Sequence, residues 1–181
     1  MALLDELIES VLNERMEELK LEYLNTMSRI IFTRDVQNLT IGGQVIDNVK
    51  KGDVMYVKRW IGETLVNLNL AEWVDKGINM QQLLQIEWRE RNNLQDLQPI
   101  PRYFYIESLW MVKKTKDDRA AEKVRDIMKL RMAKIVQHAT KGMKSDMVKK
   151  LTPEEEILYN YVMSFSSSWE RLTFLYEGNK I

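Results

Sequence analysis

Leu97-Gln98-Pro99-Ile100-Pro101-Arg102-Tyr103-Phe104-Tyr105 divides the chain into two kinds of sequence. Two of the three prolines lie here. Proline has no amide hydrogen and turns the residue before it away from helix, so Gln98 and Ile100 are expected to be extended. Three aromatics follow at once. Upstream lies a region of short apolar pieces punctuated by glycine, and downstream the chain is charged and amphipathic with helical spacing.

Working upstream, a helix is expected from about Asn79 to Asn93, carrying Met80, Leu83, Leu84, Trp88 and Arg91 and ended by the proline junction. Before it, Trp60, Ile61, Leu65 and Val66 predict one short helix, which would close the open face of a sheet too small to stand alone. Ile30 to Phe32, Leu39 to Ile41, Val45 with Ile46, and Val54 to Val57 read as three or four short antiparallel strands. Gly42-Gly43 supplies the positive φ angles of a two-residue hairpin turn, and Lys51-Gly52-Asp53 supplies another turn. From Leu3 to Met27, Leu4, Leu7, Ile8, Val11, Met16, Leu19 and Tyr23 recur at helical spacing and predict one amphipathic helix.

Downstream, Tyr103 to Lys114 is a helix, and Asp117 or Asp118 is placed to cap a long one running to about Lys141. Thr152-Pro153-Glu154-Glu155 combines an N-cap threonine, a proline at the first helical position and a glutamate at the capping-box position. Ile157, Leu158, Tyr161, Val162, Phe165, Trp169 and Leu172 form the apolar stripe of the helix that follows. The expected fold is mainly α: an N-terminal helix over residues 1–27, a small α+β domain of short antiparallel strands over 28–77, and an all-helical domain over 78–181.

Composition restricts the chemistry. The chain has 181 residues, no cysteine and a single histidine, which excludes disulfides, thiol catalysis and cysteine-ligated zinc. Lysine plus arginine equals aspartate plus glutamate at 27 each, so no global basic field draws it to DNA, and autonomous DNA binding is disfavoured. No long uncharged apolar run and no basic-then-apolar leader is present, so the reading is of a soluble intracellular chain without membrane contact. His138 falls on the apolar side of its helix and reads as structural, since metal sites need several convergent ligands. Glu154, Glu155 and Glu156 are explained by their place in a first helical turn. Gly42-Gly43 belongs to no phosphate-binding pattern. No catalytic residue, metal site or cofactor is expected. Lys141, Lys144, Lys149 and Lys150 make a basic loop between the two longest helices, a candidate contact for nucleic acid or an acidic partner on local charge alone.

One charge stands where charges are rarely found. Val124, Ile127, Met128 and Ile135 define an apolar stripe on the long helix, and a period of 3.6 residues places Arg131 within it. A buried guanidinium needs a partner, so either this face is a subunit interface or Arg131 pairs with a carboxylate, for which Glu107 and Glu155 are candidates within the chain. Ala120, Leu130, Ala133 and Val136 put apolar groups off that stripe, and a helix apolar on more than one side suggests burial by oligomerisation.

The order of small β module, short helix, proline junction and helical domain resembles GINS subunits of the class that carries the small domain first, the archaeal 2/3-type subunit and its two eukaryotic relatives. The resemblance covers about residues 28–175. Its marks are Ile41-Gly42-Gly43, Val57-Lys58-Arg59-Trp60-Ile61, the Pro99-to-Tyr105 junction, Val124-Arg125 with Leu130-Arg131-Met132-Ala133-Lys134-Ile135, and Leu151-Thr152 with Glu155. Two departures stand out: Lys58 and Arg59 occupy positions where the eukaryotic relatives usually have proline and leucine, and the N-terminal helix is longer than expected before the small domain.

The resemblance implies a non-enzymatic scaffold within a tetramer whose assembly core is the helical domain over 78–181, in archaea two copies of this subunit with two of a companion whose domains come in the opposite order. It implies a bridge between the MCM motor and a RecJ-like protein in the replicative helicase, contact with primase in some systems, and only weak or indirect contact with DNA. The expected location is the cytoplasm at the nucleoid, or the nucleus in a eukaryote. Arg125, Arg131 and Lys134 match the family's basic positions on the long helix, and with Trp60, Tyr103 and Tyr105 they make up the expected partner interface. The alternative is a stand-alone DNA-binding regulator using the small β module and a basic helix, against which the neutral net charge counts.

Overall fold

A computed structural model describes residues 2–75, 77–142 and 146–178, with side chains described for 5–75, 77–142 and 146–174. The chain falls into two compact units, Met1–Gly77 and Ile78–Ile181. Among the described residues it is mainly helical, with short antiparallel strands in the first unit.

In the first unit, helix α1 (Ala2–Leu24) leads into strand β1 (Met27–Phe32). The helix stops three residues before the expected Met27, because Asn25 Nδ2 donates to Leu21 O at 2.9 Å and Thr26 Oγ1 donates to Tyr23 O at 2.7 Å. The Tyr23 carbonyl is the one that Met27 N would use in a further turn, and both the amide and the hydroxyl of Thr26 occupy it. Strands β2 (Leu39–Ile41) and β3 (Gln44–Ile46) form a separate hairpin, and β4 (Val54–Lys58) precedes the short helix α2 (Arg59–Asn67). A fifth strand, β5 (Ala71–Trp73), exceeds the three or four expected. It pairs with β1 through Ile30↔Trp73 and Phe32↔Ala71, giving a sheet of order β4-β1-β5. Three residues are too few for an alternating pattern to declare itself in sequence.

The inner face of this sheet buries Ile30, Phe32, Val57 and Ala71 against Ile61 and Leu65 of α2. Gly42 (φ +55°) and Gly43 (φ +81°) form the β2–β3 turn with both central residues at positive φ, the geometry that matches strand twist. A Cβ on Gly42 would stand 2.0 Å from Trp60 Cη2, so the hairpin tip lies directly on that ring.

In the second unit, α3 (Met80–Asn92) begins with a full capping box: Gln82 N donates to Asn79 Oδ1 and Asn79 N to Gln82 Oε1, at 3.0 and 2.9 Å. Helix α4 (Phe104–Thr115) starts at the aromatic run, and α5 (Asp118–Thr140) is capped by the Asp117 carboxylate. A 3-10 turn (Val148–Lys150) leads to α6 (Pro153–Gly178). Here Thr152 N donates to Glu155 Oε2 at 3.0 Å and Glu155 N donates to Thr152 Oγ1 at 3.4 Å, the reciprocal pair expected of this sequence.

Two apolar clusters fill the unit. One joins Ile78, Leu83, Ile86 and Phe104 to Ala120, Val124 and Ile127; the other joins Leu97, Ile135 and Ala139 to Met147, Leu151 and Tyr159. Along α5 the residues between them are Arg131 and Lys134, both buried.

Candidate functional site

The residues after α3 leave the helix, and an irregular segment that is buried needs partners for its backbone groups. Leu97 is fully buried, which pulls the segment 94–98 against α5. Three side chains of α5, at intervals of three and four residues, meet its carbonyls. Arg131 Nη1 donates to Gln98 O at 2.7 Å, Lys134 Nζ to Asp96 O at 3.2 Å, and His138 Nε2 to Gln95 O at 2.7 Å. From α3, the Glu90 carboxylate accepts from Gln98 N at 3.0 Å.

Arg131 has no exposed surface. Its guanidinium is a fork with donors in fixed directions. Nε and Nη2 reach the two oxygens of Glu155 at 2.6 and 2.7 Å, Nη1 reaches Glu90, and Nη2 also donates to Lys150 O at 3.0 Å. Lys134 donates to the other oxygen of Glu90 and to the Glu90 carbonyl at 2.9 Å. Tyr105 Oη donates to Glu155 Oε1 at 2.7 Å. Two carboxylates and two cations thus cancel out of water, joining α3, α4, α5, α6 and the 94–98 segment.

Burial opposes the charge on Arg131, but the hydrogen bonds and charges of Glu155, and the charge of Glu90, outweigh it and raise its pKa above the ordinary arginine value. Burial first, then the Glu155 carboxylate, raises the Tyr105 phenol, which stays protonated as a donor. Burial also raises the Glu154 carboxyl above the usual range.

Of the two candidates within the chain, Glu155 is a partner of Arg131; the second carboxylate is Glu90 rather than Glu107. The structure brings Tyr105, Arg131 and Lys134 together and uses their polar groups within the chain. Met128, counted in the apolar stripe from sequence, instead faces solvent. The other expected interface residues lie elsewhere. Trp60 is half-buried on Gly42 in the first unit, Tyr103 is half-buried at the start of α4, and Arg125 is exposed with Nε on Ala121 O at 3.3 Å. Of the basic loop, Lys141 is exposed, Lys149 pairs with Asp146 at 3.4 Å in solvent, and Lys150 lends its carbonyl to Arg131. Lys144 lies outside the described residues.

A second feature is the apolar stripe of α6. The stripe Tyr161, Phe165, Trp169 and Leu172 on α6 is uncovered, with Phe165 at 74% and Trp169 at 64% exposure. Among the residues of α6 whose side chains are described, Tyr159 is the last buried one. Its turn carries Ser164, Ser166, Ser167 and Ser168 around Phe165, a composition poor in the branched residues of a core, and this was the available signal. On α5, Met128, Met132 and Val136 are exposed at four-residue intervals, one further apolar strip. Monomeric proteins rarely leave such rows in water, and rows of this kind mark interaction surfaces.

Among the described residues, no group of three or more histidine, aspartate and glutamate side chains is arranged to hold a metal, and no helix is long and apolar enough to cross a membrane. What the arrangement can do is hold helices in register and present apolar rows.

The family model Sld5, described as the GINS complex protein helical bundle domain, matches residues 77–171. No curated protein matches the chain at a significant level. The matched range contains α3, α4, α5 and most of α6, and with them the whole buried charge network.

Proposed function

The chain belongs to the GINS complex protein family, and from that premise we propose that it is a non-catalytic scaffold subunit of the small-domain-first class. The class assignment is supported by the order of the units, a small α+β unit at Met1–Gly77 ahead of the helical unit at Ile78–Ile181. In this reading the helical unit is the assembly core. It joins a companion of opposite domain order, two copies of each, and the particle bridges the MCM motor to a RecJ-like protein, at the nucleoid or in the nucleus, with primase as a further contact.

The observation that carries the proposal, beyond family membership, is the uncovered stripe Tyr161, Phe165, Trp169 and Leu172 on a helix whose first turns are locked in place by Glu155. A rigid start and an unsatisfied apolar continuation suit a helix completed by another subunit. Trp60, Tyr103 and Arg125 retain accessible surface for such contacts, whereas Arg131 and Lys134 act by fixing the helices. The test is MCM-driven unwinding of a forked duplex with and without the purified particle. The particle should raise the unwinding rate while hydrolysing no ATP itself; an unchanged rate, or hydrolysis that disappears on a point substitution in this chain, would overturn the proposal.

A further inference from the structure

Helix α1 is left over by this account. Its C-terminal end is seated on the first unit: Tyr23 is buried, its ring 4.3 Å from the Arg59 guanidinium, and Leu19 is half-buried. Towards the N-terminus the same side of the helix carries Met16, Leu12 and Ile8, at intervals of three, four and four residues from Leu19. Their exposures rise from 36% through 38% to 49%. A stripe packed at one end therefore runs on uncovered for about two further turns.

The charge around that stripe is one-sided. Between Ala2 and Leu24 the sequence has seven carboxylates and two cations, and both cations are already engaged within the helix, Arg15 with Glu18 at 2.7 Å and Lys20 with Glu17 at 3.3 Å. Asp5 and Glu9, on the flank of Ile8 and Leu12, make no ion pair among the described residues.

We propose that α1 is a docking helix for a partner protein whose surface offers an apolar groove edged with lysine or arginine. Charge chooses this occupant over the others. An anionic lipid surface attracts amphipathic helices with a basic polar face, and this one is acidic. Nucleic-acid phosphates repel it for the same reason. A second copy of α1 would set one acidic row against another, and like charges at close range are unfavourable. A groove with a basic rim takes Ile8, Leu12 and Met16 into its floor and neutralises Asp5 and Glu9 at its edge. The proposal does not depend on the helical bundle, since α1 lies outside the matched residues 77–171.

A photo-crosslinking residue placed at Leu12 of the full chain, expressed in its native host, tests this. Leu12 lies outside the buried core, at 38% exposure, and circular dichroism checks that the fold is kept. The expected product is a crosslink to one segment of a different protein, identified by mass spectrometry as apolar residues flanked by lysine or arginine. Its yield should fall about tenfold when Asp5→Lys and Glu9→Lys are added, the scale of replacing favourable charge contacts by repulsive ones. The purified chain should not sediment with phosphatidylserine vesicles. A crosslink within the chain, to a second copy, to lipid or to nucleic acid, a partner segment without cations, a yield indifferent to charge reversal, vesicle binding, or no crosslink at all would each overturn it.

Discussion

An arginine without solvent contact keeps its charge only where its donors find acceptors, and Arg131 finds Glu90, Glu155 and the carbonyls of Gln98 and Lys150. Arg131→Ala leaves two carboxylates out of water with one cation between them. The expected loss is about 3 to 5 kcal/mol, read as a fall in melting temperature on the order of 10 °C for a chain of this size. Arg131→Lys should recover little, because an ammonium has no fork to span both oxygens of Glu155. An unchanged melting temperature in either variant would mean that the network contributes nothing. Glu154 tests the same unit through pH. Its carboxyl is raised by burial, so the folded state favours the protonated form, a contribution present at low pH and lost as pH rises through the raised value. Glu154→Gln should therefore melt higher than the unsubstituted chain at pH 7, with the gap closing as pH falls through the carboxylate range. A gap that stays constant with pH would contradict this. Arg131 was legible in sequence because a cation interrupts an apolar period. Glu90 was missed: it falls seven residues after Leu83 on the buried side of α3, but it hides in a charged run. The carbonyls of Gln95, Asp96 and Gln98 were not legible, because a backbone acceptor leaves no mark in the sequence.

Among the elements, the β2–β3 hairpin was readable because a two-residue turn at positive φ calls for glycine. What sequence did not show is that Trp60 of α2 sits on the turn. The two glycines are therefore unequal. Gly43→Ala meets only the cost of positive φ, about 1 kcal/mol, since nothing lies within 4 Å of its Cβ position. Gly42→Ala adds a contact of 2.0 Å with a ring carbon and should destabilise the first unit clearly more, measured by urea unfolding of both variants. Equal losses would show that Trp60 moves aside freely. Helix α6 gives the opposite lesson. Its start was fixed by Thr152-Pro153-Glu154-Glu155, but its apolar stripe says only that something covers it, and a partner's helix and the chain's own core leave the same period in sequence.

At the scale of the molecule, the equality of 27 cations and 27 anions still argues that DNA is not the primary ligand. The purified chain should bind duplex weakly at about 0.15 M salt. Neutralising Lys141, Lys149 and Lys150 should remove most of what binding there is, read by fluorescence anisotropy. A tight complex indifferent to those lysines would favour a DNA-binding regulator. The most direct measurement is the native mass of the chain co-expressed with a companion GINS subunit of opposite domain order, unsubstituted and as Phe165→Asp with Trp169→Asp. The unsubstituted chain should give one particle holding two copies of each subunit. The double variant should keep its own melting temperature, because both side chains already lie in solvent, and lose the companion. A double variant that still assembles, or an unsubstituted chain that stays monomeric beside its companion, would contradict the assignment of α6 as the face that another subunit completes.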